Sequence, residues 1–445
     1  MILPAGWAKA TIGDIIAPIE TGAPAERPDV AFRYVDIGSI DNRTQRIAYP
    51  KDMLGADAPS RARRRIRSGD VLFSTVRPYL KNIAIVPPEL DGEYTSTGIC
   101  VLRAVEGIDP NFLFKRVMSQ EFVDAMTRAS DGSLYPAIAD NDVFRGDLPL
   151  PPAAEQLRIV ARLDMLAARL ARARGELDRM STLPEALRRS ALDAAFSGAL
   201  TADLRSDGGG QLAELPKIDD QERGMWRARS LPGEWRWAQF SDFFNDVTDS
   251  KRKLPENAYQ IAGSYPVIDQ GKRQVGGYTD RTDLLHSATS PVIVFGDHTR
   301  CVKLVDPPFV QGADGVKVLS PAAGVEVKFA RYALLAVQIP AKGYSRHMKF
   351  VRKTVWPLPG KAEQRVLVTR LDTIFAHAGR LEAEAARARE LLDRLESAIL
   401  TKAFRGELVP QDPNDEPASV LLDRVRAQRA AKLATKRTRR TTATA

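Results

Sequence analysis

The chain is poor in the residues that most chemistry requires. Its 445 residues include 2 Cys and 4 His, and none of them falls at metal-ligand spacing, so no metal is assigned. Cys100 and Cys301 lie one in each half, inside apolar strand-like runs, and read as buried free thiols of a reducing compartment. No stretch of about 18 uncharged apolar residues occurs, so no membrane span is expected. The start, Met1-Ile2-Leu3-Pro4, lacks the basic and apolar regions of a secretory signal. These absences point to the cytoplasm. There is no Gly-x4-Gly-Lys-Ser/Thr loop for nucleotide hydrolysis, and no glycine-rich loop that would cradle a cofactor between strand and helix. The expectation is therefore no catalytic residue and no cofactor. What is present is ordinary for a globular protein, 44% hydrophobic and 27% charged, with a net charge of +9. Residues 410–445 hold eight Lys/Arg against four Asp/Glu. Such a balance suits nucleic acid, but it suits ribosomes or anionic lipids as well.

The most informative feature is a duplication. Residues 149–200 recur without a gap at 357–408, with 21 of 52 positions identical. Glu155/Glu363, Gln156/Gln364 and the Arg-Leu-Asp runs at 162–164 and 370–372 are among them, and Phe196/Phe404, Gly198/Gly406 and Leu200/Leu408 close each copy. A period this long is not that of a solenoid, whose units run to roughly 20–50 residues. It describes one variable domain plus one shared connector, used twice.

The connectors read as long helices. In the second copy Leu371, Ile374, Ala378, Leu381, Ala385, Ala388, Leu392, Leu395 and Ile399 make a 3-4 alternation that keeps one seam facing a partner. The first copy carries the same seam, interrupted by Pro184, which should kink or break it. Gly198 and Gly406 supply the stops. Two such helices in one chain pair most simply with each other, and duplication favours an antiparallel pair.

The preceding domains share landmarks but have diverged. Leu3-Pro4 with Trp7 matches Leu231-Pro232 with Trp235, and Val71-Leu72-Phe73 with Arg77 matches Ile293-Val294-Phe295 with Arg300. The runs 83–86 and 302–305 each lead into a Pro-Pro turn, and helical stretches at 111–128 and 326–338 precede the exits. Short β-branched runs between Gly, Pro and Asp turns indicate α/β or α+β domains with mixed strands. Gly208-Gly209-Gly210 marks a flexible linker.

In their order and duplication, the motifs resemble those of the specificity subunits of type I restriction–modification systems. The residues that carry the likeness are Gly69-Asp70-Val71-Leu72-Phe73-Ser74-Thr75-Val76-Arg77-Pro78, Pro291-Val292-Ile293-Val294-Phe295-Gly296-Asp297-His298-Thr299-Arg300, the Pro-Leu-Pro…Ala-Glu-Gln openings and the Ala-Phe-x-Gly-x-Leu exits. The likeness spans about residues 3–425. It implies an α+β fold in which two duplicated α/β target-recognition domains are each followed by a long helix, the helices pairing as an antiparallel coiled coil. The boundaries expected are 1–152 and 231–360 for the recognition domains, 153–205 and 361–409 for the helical regions, 206–230 for the linker, and 410–445 for a basic tail. It further implies a non-catalytic subunit that binds double-stranded DNA at a bipartite site, each domain reading one half. Two modification (methyltransferase) subunits would dock on the helices, and restriction (translocase/endonuclease) subunits would join them.

Base reading needs Arg, Lys, Asn or Gln side chains in the groove, flanked by phosphate contacts. The first domain offers Arg61, Arg63, Arg64, Arg65 and Arg67 before a strand, then Arg77, Tyr79 and Lys81 after it. The second offers Lys251-Arg252-Lys253, Lys272-Arg273, Arg300, Lys342, Arg346, His347, Lys349, Arg352 and Lys353. Arg63, Arg64, Arg65, Arg77, Lys81, Lys272, Arg300, Arg346 and Lys349 are the leading DNA-binding candidates. Arg77 and Arg300 match between copies, which suits framework or phosphate positioning. Base choice should fall to loops that differ, including 94–98 and 263–277.

Three other readings compete with this one. Asp306-Pro307-Pro308-Phe309 imitates the site at which amino-methyltransferases hold a flipped base, which would make the chain a single-chain DNA adenine methyltransferase with degenerate motifs. Its duplicate, Val86-Pro87-Pro88-Glu89, has lost both Asp and Phe, so a structural turn is the better reading. Asp314 with Glu326-Val327-Lys328 imitates a nuclease metal site but has no duplicate. A coiled-coil scaffold without a DNA role is the other alternative.

Overall fold

The apolar runs shared by the two domain sequences build the same sheet twice. The computed structural model describes residues 3–129, 136–205, 213–214, 226, 230–340 and 346–442. It divides into two units, Met1–Glu176 with Ala388–Ala445, and Leu177–Arg387. The first unit begins with β1 (Ala8–Thr11), β2 (Ile16–Ala17), β3 (Ala31–Val35), β4 (Lys51–Leu54), β5 (Ala62–Arg65), β6 (Val71–Ser74), β7 (Ile83–Ile85), β8 (Tyr94–Ser96) and β9 (Ile99–Ala104). Helices α1 (Pro110–Met118) and α2 (Gln120–Ala129) follow, then β10 (Asp147–Leu150), which pairs with β1. A central sheet in the order β2-β9-β6-β7 is antiparallel throughout. Strand β6 is buried along its whole length, as a strand covered on both faces must be. Its alternate side chains serve two cores. Val71 and Phe73 pack with Phe112, Leu113 and Phe122 of the helices, and Leu72 packs with Val35, Ile66 and Ala84 on the other face. A second sheet runs β5-β8-β3-β4, with β8 parallel to β3 and the other joins antiparallel.

The chain leaves this domain through α3 (Ala153–Met180), breaks at Ser181 and Thr182, and resumes as α4 (Leu183–Phe196). The break comes where Pro184 enters the first turn of α4, as its missing N–H dictates. The second domain comprises β11 (Arg236–Ala238), β12 (Phe244–Asp246), β13 (Lys253–Leu254), β14 (Tyr265–Ile268), β15 (Gly277–Thr279), β16 (Val292–Gly296), β17 (Val302–Val305), β18 (Val310–Gly312) and β19 (Val316–Pro321). Helices α5 (Val327–Ala336) and α6 (Met348–Lys353) and strand β20 (Trp356–Leu358) complete it. Its central sheet, β12-β19-β16-β17, repeats the first one strand for strand. Faces repeat too: Ile293 and Phe295 point to the helices, and Val292 and Val294 to the other core.

The second sheets agree less well. In β13-β18-β14-β15 the β14–β18 join is parallel and the β14–β15 join antiparallel, as for β3–β8 and β3–β4. The last place differs. In the first domain it is filled by β5, which follows β4 in the chain and runs antiparallel to β8. In the second it is filled by β13, which precedes β14 and runs parallel to β18.

The second connector is one helix, α7 (Lys361–Phe404), of 44 residues, and a further helix, α8 (Ala418–Thr442), follows it. Both units show the connectors antiparallel. In the first unit Leu163 and Leu170 face Ile399 and Leu400 across a narrow cleft, and Arg174 reaches Asp393 and Glu396 at 2.7 Å each. In the second unit Arg188 grips Glu382 through two hydrogen bonds of 2.5 and 2.7 Å. Farther along, Arg370 binds Asp203 at 2.6 and 2.7 Å. The apolar seam is not continuous, because Leu395 is 48% exposed. In that stretch the connectors meet through the Arg174 ion pairs.

Two other expectations need correction. Cys301 sits half-exposed in the turn before β17 rather than in a buried strand, although Cys100 is buried in β9 and both thiols are free. The segment after residue 409 is not simply a basic tail: Ala418, Leu421, Leu422 and Val425 of α8 are buried in the first unit's core. The glycine run at 208–210 and Lys342 lie outside the described residues. Among the described residues no helix is long and apolar enough to cross a membrane.

Candidate nucleic-acid interface

The repeated residues build the frame that holds the candidate surface. Glu155 is buried and accepts the indole N–H of Trp7 at 3.0 Å. Glu363 accepts that of Trp235 at 2.8 Å, along with Thr201 at 2.6 Å and Arg205 at 2.8 Å. Burial pushes the Glu155 carboxyl upward, against the lowering effect of its Gln411 and Trp7 hydrogen bonds. The neighbouring glutamines are buried as well. Gln156 accepts the backbone N–H of Asp109 at 2.9 Å, and Gln364 accepts that of Glu326 at 2.8 Å. Asp109 and Glu326 are the N-caps of α1 and α5, receiving the N–H groups of Phe112 and Phe329. Each Glu-Gln pair thus ties a connector to the domain's first tryptophan and to its main helix. The exits are equally alike: Phe404 packs on Phe112 at 5.5 Å and Phe196 on Phe329 at 5.3 Å.

On this frame the turn after the central strand is held the same way in both domains. Arg77 and Arg300 both adopt left-handed backbone, with φ of 50° and 61°. In the first unit Arg77 donates its N–H to the Pro136 carbonyl, and Ile138 donates to Thr75. In the second, His347 and Met348 bind Asp297 at 2.8 and 2.6 Å, and Thr299 binds the Gln270 carbonyl at 2.6 Å. Three segments therefore converge in the second unit: the Gln270–Lys272 loop, the Asp297–Arg300 turn and the start of α6. They bring together Lys272, Arg300, Arg346 and Lys349. Arg300 donates to the Ile339 carbonyl at 2.9 Å, and Lys349 lies 5.1 Å from the Phe350 ring centre. Lys272, Arg346 and Lys349 are exposed and carry no ion pair among the described residues.

In the first unit the basic cluster divides by role. Arg63 is exposed on β5; its carbonyl accepts the Gly22 N–H and its side chain donates to the Ser60 carbonyl of its own turn. Arg64 is largely buried, spent on Asp140 at 2.7 Å and on the Ile99 carbonyl at 2.7 Å. Arg65 is half-exposed beside Glu20 and donates to Gly92. Lys81 binds Gln120 at 2.9 Å. Hydrogen bonds from Thr97 to Arg61, and from Thr75 to Gly98, link the end of β5 to the Arg77 turn through the 96–98 loop. The loop 263–277 contains all of β14 and the first residue of β15, so the stretch between the two strands is 269–276.

Comparisons with known proteins agree with one another. No protein-family model matches the chain. The specificity subunit of the type I restriction enzyme EcoDI from Escherichia coli is 24% identical over 336 residues, 69% of this chain and 74% of that protein. The StySPI specificity subunit of Salmonella potsdam is 25% identical over 357 residues, 74% of each. The solved HsdS subunit from Thermoanaerobacter tengcongensis is 32% identical, with a TM-score of 0.61 over 92% of this chain and 98% of that one. A chain solved in work on complex assembly and conformational transition of the type I R-M system is 31% identical, with a TM-score of 0.72 over 92% of this chain and 100% of that one. The chain belongs to the specificity subunits of type I restriction–modification systems. It is the non-catalytic component of that complex, and it recognises the DNA target.

The motifs that imitate catalysis have structural roles in this specificity subunit. Phe309 is fully buried and stacks on His286 at 4.9 Å, so no base can reach its face. Glu326 is spent on capping α5, and Lys328 pairs with Asp372 at 2.8 Å. Sequence reasoning missed the clamps made by Glu155 and Gln156, although their identity in both copies was the available signal. It also missed the docking of α8, whose signal was the spacing of Ala418, Leu421, Leu422 and Val425.

Proposed function

We propose that residues 1–152 and 231–360 of this specificity subunit each read one half of a bipartite duplex site. The helical regions 153–205 and 361–409 set the spacing of the halves and seat two modification subunits, which restriction subunits then join. The observation that carries this reading is the pair of second sheets: one frame, with a different edge strand in each domain. Both edge strands are basic, with Arg61, Arg63 and Arg65 around β5 and Lys251, Arg252 and Lys253 around β13. The last strand of a sheet can offer side chains to a groove without disturbing the sheet; the outer backbone groups of β5 already bond residues 20–22, so its exposed arginine side chains are what it presents. Arg63, Lys272, Arg346 and Lys349 are the groups most available for DNA. Arg65, Arg77, Lys81 and Arg300 position phosphate, and Arg64 acts through its neighbours. Apolar residues on the outside of the helices, Leu157 and Met165 on α3 and Leu391 on α7, support docking of the modification subunits.

The test is a domain exchange. Residues 1–152 are replaced by the recognition domain of another specificity subunit, and methylated adenines are mapped by single-molecule sequencing of host DNA. One half of the site should change, with the other half and the spacer kept. A change in both halves sinks the modular reading.

A further inference from the structure

Helix α8 begins inside the first unit's core and ends with a different composition. Ala418, Leu421, Leu422 and Val425 are buried at i, i+3, i+4 and i+7, the stripe of a docked helix. Arg429 closes this anchored part by donating to the Gly13 carbonyl at 3.0 Å and to that of Ile16. The helix then continues to Thr442. Residues 424–445 contain eight Lys/Arg and no Asp or Glu, and beyond Arg429 the only large apolar residue is Leu433. Like charges three and four residues apart destabilise a helix, and little apolar surface remains to hold this one against the protein. A polyanion removes the repulsion.

The place where this basic run leaves the domain is defined by a cleft of about 750 Å³. Ile16, Thr21, Arg64 and Asp140 line one wall, and Val425, Gln428 and Arg429 line another. Arg64 belongs to β5, so the last anchored turn of α8 lies beside the strand whose Arg63 and Arg65 are exposed. The two basic elements of the first unit therefore meet at one edge.

We propose that α8 beyond Arg429 is a phosphate-binding arm that extends the β5 edge. It grips the duplex backbone flanking the target on the first domain's side, and it adds affinity without adding sequence preference. The partner is duplex DNA, on the ground of charge: a run of cations with no anion suits a surface of regularly spaced phosphates. This inference rests on the reading of the first domain as a DNA-recognition domain.

The experiment compares the full chain with a variant carrying K432Q, K436Q, R437Q, R439Q and R440Q, all beyond the anchored turns. Binding to a target duplex and to an unrelated duplex is measured across a salt series. The slope of log K against log salt should fall by up to about 0.9 for each charge that contacted phosphate. Affinity for both duplexes should drop by about tenfold or more near 0.1 M salt, with their ratio and the melting temperature unchanged. Equal slopes and affinities for the two proteins overturn the proposal. So does a change in the ratio, which would make the arm a base reader. Equal slopes combined with loss of the modification subunit on co-purification also overturn it, because the arm would then hold protein. If the unaltered chain prefers no duplex, the recognition reading fails instead, and the slope difference still reports on the arm.

Discussion

Beside β8 in the first domain lies β5, drawn from the segment after β4 and antiparallel to its neighbour. Beside β18 in the second lies β13, drawn from the segment before β14 and parallel. The central sheets, by contrast, agree in order, direction and in which side chain faces which core. The contrast teaches where such a domain can change. An interior strand such as β6 or β16 must satisfy hydrogen bonds on both edges and side chains on both faces. The last strand of a second sheet meets fewer demands, β5 having the short segment 20–22 on its far side, so a different segment, in either direction, can fill the place. Divergence has collected where the frame is indifferent to it, and that is also where exposed cations lie.

This division can be broken by experiment. The largest effect is expected in the frame. Phe196→Ala and Phe404→Ala each remove a ring that is almost wholly buried, and each should cost about 3–5 kcal/mol. Melting should drop alike for both, with the methylated sequence of the surviving protein unchanged; a large loss from only one would break the equivalence. The edges should behave in the opposite way. Arg63→Ala and Lys251→Ala should each weaken target binding by roughly 1–2 kcal/mol and leave melting within about 0.5 kcal/mol of the parent. Altered melting with unaltered binding would assign β5 or β13 to the frame.

The smallest effect separates the two copies of the Arg-Leu-Asp run. Burial raises the pKa of Asp372, but hydrogen bonds from Lys328 and Tyr332 outweigh it and hold the carboxyl below its usual range. A depressed carboxylate stabilises fully above its unfolded pKa of about 3.8, and that share is lost as pH falls through the folded value. Melting temperature between pH 5 and 3 should therefore fall less steeply for Asp372→Asn than for the parent. Asp164, itself exposed, pairs with Lys115 at 2.9 Å, and Asp164→Asn should cost no more than about 1 kcal/mol at neutral pH. A profile for Asp372→Asn as steep as the parent's would show that the second copy gains nothing from its tyrosine.

The parts of the fold that were legible in the sequence were those governed by local rules. The matched apolar runs at 71–73, 83–86, 293–295 and 302–305 all became strands of the central sheets. Pro184 broke the first connector because its ring cannot continue a helix. Gly198 and Gly406 ended the helices with φ of 79° and 73°. An added Cβ would also meet Pro232 at 2.4 Å and Pro4 at 2.3 Å, a contact no local rule announces. The candidate surface was only half legible. Five arginines between residues 61 and 67 look equivalent in a string. Yet Arg64 turns inward because Asp140, 76 residues away, offers a carboxylate beside the Ile99 carbonyl. Leu395 fitted the heptad but stays exposed, in a stretch where the connectors meet through the Arg174 ion pairs with Asp393 and Glu396.

By itself the sequence determined that a domain and a helix were used twice, where each connector helix ends, and two of the four strands in each central sheet. Those features follow from backbone geometry and short-range periodicity, which neighbouring residues settle among themselves. Tertiary structure decided which segment fills the edge of each second sheet, which arginines remain free, and that α8 docks on the first domain before its basic run begins. Those outcomes depend on partners distant in sequence competing for one place, and the chain's order does not encode which of them wins.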